Sequence, residues 1–112
     1  MERFVDIARL PDLPAATGLG VHVDERPIAL FQVDGEVFAL DDACARCSES
    51  LASGRLDGHD VECAGCGWRY DVVTGCTRGV PMLRLDTFAV QTRGGIVSVA
   101  NRFAHRVDRT SR

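Results

Sequence analysis

Four cysteines carry the clearest chemistry in this sequence. Cys44 and Cys47 bracket Ala45-Arg46, and fifteen residues later Cys63 and Cys66 bracket Ala64-Gly65. Two C-x2-C pairs at such a separation form a metal-site pattern. The two-residue spacer bends the backbone into a tight knuckle, so that both sulfurs can face one ion. Tetrahedral zinc or iron with metal–sulfur bonds of ~2.3 Å needs sulfurs about 3.8 Å apart, which a knuckle allows. Four thiolates at metal spacing, with Cys76 as an odd fifth, fit a reducing cytoplasm better than a secreted disulfide scaffold.

The segments that must position these loops read as short β-strands. Phe4–Ala8 is apolar and strand-like, and Leu10-Pro11-Asp12-Leu13-Pro14 reads as a helical turn or loop because its prolines lack donors. Val21–Val23 follows a Gly18/Gly20 bend, Pro27 reads as an interruption, and Ile28–Val33 is an apolar strand. Asp34-Gly35 is a two-residue hairpin signal leading into Glu36–Leu40. Gly54–Asp60 reads as a connection between the knuckles, and Gly67–Val73 as an alternating strand stopped by Thr74-Gly75. Leu83–Leu85, Phe88–Thr92 and Ile96–Val99 complete the strands, the last two joined by Arg93-Gly94-Gly95. No long stretch carries the 3.6-residue period of an amphipathic helix. The expectation is an all-β antiparallel sandwich or barrel over residues 1–101, with a small metal-binding subdomain at about 41–81.

The chain has 112 residues with 46% hydrophobic and 26% charged content, enough for one modest core. All thirteen basic residues are arginine, and four of them fall in 102–112, against Asp108 as the sole acid there. The body is therefore acidic and the tail a basic, flexible end. An acidic body disfavours nucleic acid and suits a basic partner surface. With no basic-then-apolar leader and no apolar run of membrane length, the reading is a soluble monomer.

Other residues invite plainer readings. Cys76 reads as a half-buried apolar residue, His59 as a solvated turn residue, and His22 and His105 have no metal-like neighbours. Trp68 and Tyr70 differ by two on a strand, so they share a face and read as core beside the metal loops. Asp41-Asp42 are adjacent carboxylates expected to point apart. Arg46 sits inside the first knuckle, either near a partner-facing tip or screening the thiolates. No Ser/His/Asp set, phosphate loop or dinucleotide fingerprint is present, so the chain is expected to carry rather than catalyse.

Taken together, Asp34–Leu40, the cysteine loop ending in Ser50-Leu51, Gly54–Gly58, Val61–Cys63, Gly67–Asp71, Thr74-Gly75 and the Gly79–Pro81 turn resemble a Rieske-type ferredoxin. The resemblance implies a three-layered antiparallel fold, two cluster loops and a proline turn covering the site. It also implies one-electron traffic from a reductase to an oxygenase or similar terminal enzyme. It breaks at the ligands. A Rieske site uses C-x-H and C-x2-H, two histidines replacing two cysteines on one iron. Here Cys44 and Cys63 keep the cysteine positions, Arg46 takes the first histidine position, a cysteine follows at Cys47, and Cys66 takes the second. Arginine cannot bind a metal because it stays protonated.

Two centres remain open. Equal C-x2-C knuckles place four sulfurs around one ion, as in rubredoxin and zinc ribbons, and favour mononuclear iron or zinc. The family resemblance points instead to an all-cysteine [2Fe–2S] cluster. Iron makes the chain an electron carrier, with a potential below that of high-potential Rieske centres. Zinc makes it a non-redox module with a structural site that serves a protein interface or a larger enzyme. A zinc-ribbon nucleic-acid binder is a third reading, disfavoured by the acidic body.

Overall fold

In the computed structural model, residues 3–80 and 82–100 are described. The tail, His105 and Pro81 of the expected covering turn lie outside them. Ten strands follow in order: β1 (Phe4–Arg9), β2 (Leu19–Val23), β3 (Arg26–Val33), β4 (Glu36–Asp41), β5 (Arg55–Asp57), β6 (Asp60–Glu62), β7 (Arg69–Asp71), β8 (Thr87–Phe88), β9 (Val90–Arg93) and β10 (Ile96–Ala100). They pair antiparallel into three sheets ordered β1-β10-β9, β2-β3-β4-β8 and β5-β6-β7. None closes on itself, so the architecture is layered and not a barrel. Single 3₁₀ turns occupy Leu10–Asp12, as the prolines required, and Leu51–Ser53.

The β3–β4 hairpin is the shared wall of two cores. Ile28 and Leu30 of β3 join Leu13, Val97 and Val99 on one side, while Ala29 and Phe31 join Leu51, Val61 and Tyr70 on the other. β4 divides in the same way, Ala39 to the first cluster and Leu40 to the second. All four β3 residues are essentially inaccessible. A strand covered on both faces reads as a continuous apolar run, which is why Ile28–Phe31 shows no alternation. Full burial of a side chain such as Phe31 or Leu30 contributes about 1.5–3 kcal/mol before entropy is counted.

The hairpin turns at Asp34-Gly35 and Gly94-Gly95 form where expected, with φ of 52° and 84° in the first and 59° and 82° in the second. Both are two-residue loops with positive φ at both central residues. A further one joins β2 to β3 through Asp24 (φ 51°) and Glu25 (φ 70°). Glutamate is a poor left-handed residue, so nothing in Asp24-Glu25 announces this turn.

Five expectations need correction. Pro27 lies within β3, opposite His22. It is the strand's second residue, where a missing donor costs least, and its carbonyl accepts from the Asp42 N–H at 3.2 Å. Gly54–Asp60 is a hairpin, Arg55–Asp57 pairing with Asp60–Glu62 around Gly58-His59. The strand expected over 67–73 is reduced to Arg69–Asp71, because Asp71 caps a turn through the Val73 and Gly75 amides. Phe88–Thr92 splits at Ala89, β8 pairing with β4 and β9 with β10. Of Leu83–Leu85, only an isolated Cys76–Arg84 bridge is strand-like.

Glu25→Gly is expected to raise stability by about 0.5–1 kcal/mol, because glycine adopts φ near 70° without steric cost. A higher denaturant midpoint at unchanged slope is the readout. A lower midpoint contradicts a strained turn.

Candidate metal centre

Both cysteine loops fold by one hydrogen-bond pattern. The Cys44 N–H donates to the Glu49 carbonyl at 2.9 Å, and the Ser48 N–H to the Cys44 carbonyl at 2.9 Å. In the second loop the Cys63 N–H donates to the Trp68 carbonyl at 2.8 Å, and the Gly67 N–H to the Cys63 carbonyl at 2.9 Å. The residue after each second cysteine is left-handed, Ser48 at φ 68° and Gly67 at φ 82°. Glycine adopts such a φ without steric cost, whereas Ser48 has no left-handed signature.

The first loop springs from β4 and is tied by the paired aspartates, which diverge as expected. Asp41 receives two bonds from the Arg26 guanidinium at 2.8 and 2.9 Å. The Asp42 carboxylate accepts from the Ser50 hydroxyl at 2.8 Å and the Ala52 N–H at 2.9 Å, closing the loop's far end. The second loop joins β6 to β7 within the third sheet.

The two loops bring Cys44, Cys47, Cys63 and Cys66 together with all four sulfurs within 4.8 Å of one another. Cys44 and Cys66 sulfurs are 3.8 Å apart, and those of Cys47 and Cys63 are 3.5 Å apart. These cross-loop distances match the edge of a tetrahedron built on metal–sulfur bonds of ~2.3 Å. Gly65 permits the approach: a Cβ there would lie 3.2 Å from the Cys47 sulfur and 2.5 Å from Cγ of Glu49. Cys44 and Cys63 are buried among core residues, whereas Cys47 and Cys66 are half-buried at a rim formed by exposed Ala45, Arg46, Ala64 and Gly65.

Tyr70 is fully buried, and its hydroxyl reaches from β7 to the first loop. It accepts the Ala45 N–H at 2.9 Å and lies 3.1 Å from the Cys44 sulfur, to which it donates. The Arg46 N–H points at the same sulfur at 3.4 Å. Burial pushes the Cys44 thiol up, but the Tyr70 hydroxyl and the loop amides outweigh it and bring it down to about 6. For Cys47 the Glu49 amide favours the thiolate, yet burial and the neighbouring sulfurs prevail and push it up to about 12. Burial raises Cys63 as well, and burial followed by the Cys44 sulfur raises Tyr70, which therefore keeps its proton to donate. Negative charge is thus favoured on Cys44, while Cys47 and Cys63 ionise only when a cation is bound.

The remaining candidates stay outside the cluster. Cys76 is half-buried and not among the grouped sulfurs. His59 is exposed and meets Phe38 edge-on at 5.8 Å, and His22 is exposed on β2. Trp68 packs against the core only in part, with the Arg46 guanidinium 5.5 Å over its ring. The role of the Tyr70 hydroxyl was hidden in the sequence, where an aromatic at that spacing reads as core.

A model of the Rieske [2Fe–2S] domain matches residues 3–89. The chain belongs to this family. It is 31% identical over 99 residues to the ferredoxin component of a naphthalene 1,2-dioxygenase system from Pseudomonas aeruginosa, covering 88% of this chain and 95% of that protein. It is 35% identical over 98 residues to the biphenyl dioxygenase ferredoxin subunit of Pseudomonas sp. strain KKS102, covering 86% and 90%. Among solved structures, a Sphingomonas yanoikuyae B1 ferredoxin superposes with a TM-score of 0.79 at 25% identity, over 87% of this chain and 97% of that one. A chain from the complex of reduced oxygenase and oxidized ferredoxin in carbazole 1,9a-dioxygenase gives 0.76 at 30% identity, over 85% and 99%. Within this Rieske fold, the sulfur cluster of the present chain has no histidine in it among the described residues.

Tyr70→Phe is expected to destabilise the protein by about 0.5–1.5 kcal/mol, because the part-buried Ala45 N–H loses its acceptor. The iron-loaded variant is expected to show a lower midpoint potential, since hydrogen bonds to ligand sulfur favour the reduced state. An unchanged potential contradicts donation from Tyr70 to Cys44.

Proposed function

We propose that this chain is the ferredoxin component of an oxygenase system, accepting single electrons from a reductase and delivering them to a terminal oxygenase. It is a carrier and not itself the catalyst. The observation that carries this reading is a four-sulfur cluster at an exposed rim, in a Rieske-family chain whose relatives named as ferredoxin components match it almost end to end. Trp68 and Val80 line a cleft near that rim, and Val80, Met82 and Leu83 are exposed apolar side chains next in sequence. That composition suits transient docking of a protein partner.

Cys44, Cys47, Cys63 and Cys66 are the proposed ligands, in a metal-binding subdomain at 41–81 of a single domain spanning 1–101. The four sulfurs fit one ion best. Their cross-loop separations of 3.8 and 3.5 Å leave the space of a single tetrahedral ion. A two-iron centre would hold its cysteine pairs farther apart, with a second iron and two bridging sulfides between them. Iron in such a cage supplies a reversible one-electron couple, and zinc does not. The protein's own part is to present half-buried Cys47 and Cys66 toward a partner, to keep Cys44 and Cys63 dry, and to donate hydrogen bonds to sulfur. Five cysteines without a disulfide fit a cytoplasmic setting, and no described helix is long and apolar enough to cross a membrane.

Metal and sulfide analysis with a visible spectrum tests this on protein grown in iron-replete, zinc-poor medium. One iron per chain, no labile sulfide and a red colour are expected. Two irons with two sulfides would replace the single ion by a cluster while leaving the carrier role intact. A colourless zinc protein that refuses iron would remove that role.

Cysteine ligands already ionised on the metal have no proton to exchange near neutrality. The potential of the iron form is therefore expected to stay flat across about pH 6–9. A potential falling steeply with rising pH, measured by equilibrium titration, would require a histidine-like ligand and contradict the four-cysteine assignment.

A further inference from the structure

Arg46 stands at the tip of the first knuckle, between two of the proposed ligands, and is exposed. Its guanidinium lies over the ring of Trp68, 5.5 Å from the centroid. Trp68 follows the second knuckle after Gly67, its carbonyl holds the Cys63 N–H at 2.8 Å, and its ring packs against the core cluster containing Cys44 and Cys63. The contact therefore spans the two cysteine loops and gives a long, otherwise mobile side chain a fixed seat. A flat, delocalised cation stacks on an indole face in a way that an ammonium group does not reproduce.

The charge on Arg46 is also available. Arg69 pairs with Glu62 at 3.5 Å, and Arg78 pairs with Asp60 at 2.5 Å and Asp71 at 3.6 Å. Among the described residues, Arg46 forms no such ion pair. The acid nearest the cluster by contact is Glu49, whose side chain rests where a Cβ of Gly65 would be, and it adds to the negative side.

We propose that Arg46, seated on Trp68, is a positioning residue that offsets the charge of the four-thiolate centre and raises its reduction potential. Four thiolates around a ferric ion carry a net charge of minus one, and the added electron makes it minus two. A fixed positive charge at the rim stabilises the second state more than the first, so the reduced form is favoured. The same charge lowers the mutual repulsion of the sulfurs and slows loss of the ion. This inference rests on the four-cysteine metal site proposed above.

The test compares wild type with Arg46→Gln, Arg46→Lys and Trp68→Leu, each checked for unchanged metal content and circular dichroism. In equilibrium redox titrations, Arg46→Gln is expected to weaken affinity for the electron by about threefold, a fall of about 28 mV for a one-electron couple. Arg46→Lys, which keeps the charge but not the planar stack, is expected to fall between wild type and Arg46→Gln, and Trp68→Leu to move toward Arg46→Gln because the guanidinium loses its seat. High salt shrinks the difference between wild type and Arg46→Gln. Transfer of zinc from the zinc-loaded protein to a chromogenic chelator gives a readout independent of iron, with Arg46→Gln about threefold faster. A wild-type potential in Arg46→Gln overturns the proposal. An equal fall in Arg46→Lys overturns the role of charge, and an unshifted Trp68→Leu overturns the seat. Failure of the underlying metal-site reading shows itself separately, as wild-type protein that binds no metal through its four cysteines.

Discussion

Four sulfurs within 4.8 Å are a charge problem before they are a binding site. As thiolates they repel one another, and as thiols they do not hold a metal. At close range the surrounding structure answers with hydrogen-bond donors. The Tyr70 hydroxyl and the Arg46 amide face the Cys44 sulfur, the Glu49 amide serves Cys47, and the Gly65 and Cys66 amides serve Cys63. Turning amides toward sulfur requires the chain to reverse sharply after each second cysteine. Ser48 and Gly67 take left-handed conformations for that reason, and at Ser48 the conformation is held at a steric cost by the closed loop around it.

The same cysteines are also core. Cys44 and Cys63 belong to the cluster that contains Phe31, Leu40, Leu51 and Tyr70. A buried thiol packs as a small hydrophobe, so the lower half of the site has a fold-level role with or without an ion. The upper half does not, since Cys47 and Cys66 reach toward solvent. The platform beneath both is the β3–β4 hairpin, whose two faces feed separate clusters. Its Asp41 and Asp42 then continue directly into the first loop, so the position of the first two sulfurs follows from the register Ile28↔Asp41 that ends that hairpin.

The parts legible in the sequence are those set by local chemistry. Asp34-Gly35 and Gly94-Gly95 announce their turns because few residues tolerate their φ values, and the cysteine spacing announces a metal site because sulfur geometry demands it. The resemblance to Rieske ferredoxins, carried by motifs from Asp34 to Pro81, pointed to the family and the fold. What stayed hidden is decided by tertiary context. Asp24-Glu25 turns against its own preference because the pairing of Val21 with Ile28 requires a hairpin there. Ala89 divides an apparently continuous strand because β4 and β10 compete for its two ends. The Tyr70 hydroxyl finds sulfur only because β7 is placed under a loop some twenty-five residues earlier in the chain.

The relation between the two loops bears most directly on the choice of centre. Exchanging histidine for cysteine at position 46 alone would have kept a C-x-C loop opposite a C-x2-C loop, with unequal reach. Moving the ligand to Cys47 makes the loops equal in length. Equal length brings equal hydrogen bonding, Cys44 with Ser48 and Glu49 matching Cys63 with Gly67 and Trp68. Two matched loops facing each other converge on one point, and that convergence supports a single ion. The shift also leaves position 46 free of ligand duty. A residue there is carried at the tip of the loop, beside the sulfurs without touching the ion, which is where a cation can act on the centre through space. The register change that supports one ion is thus the same change that makes room for Arg46.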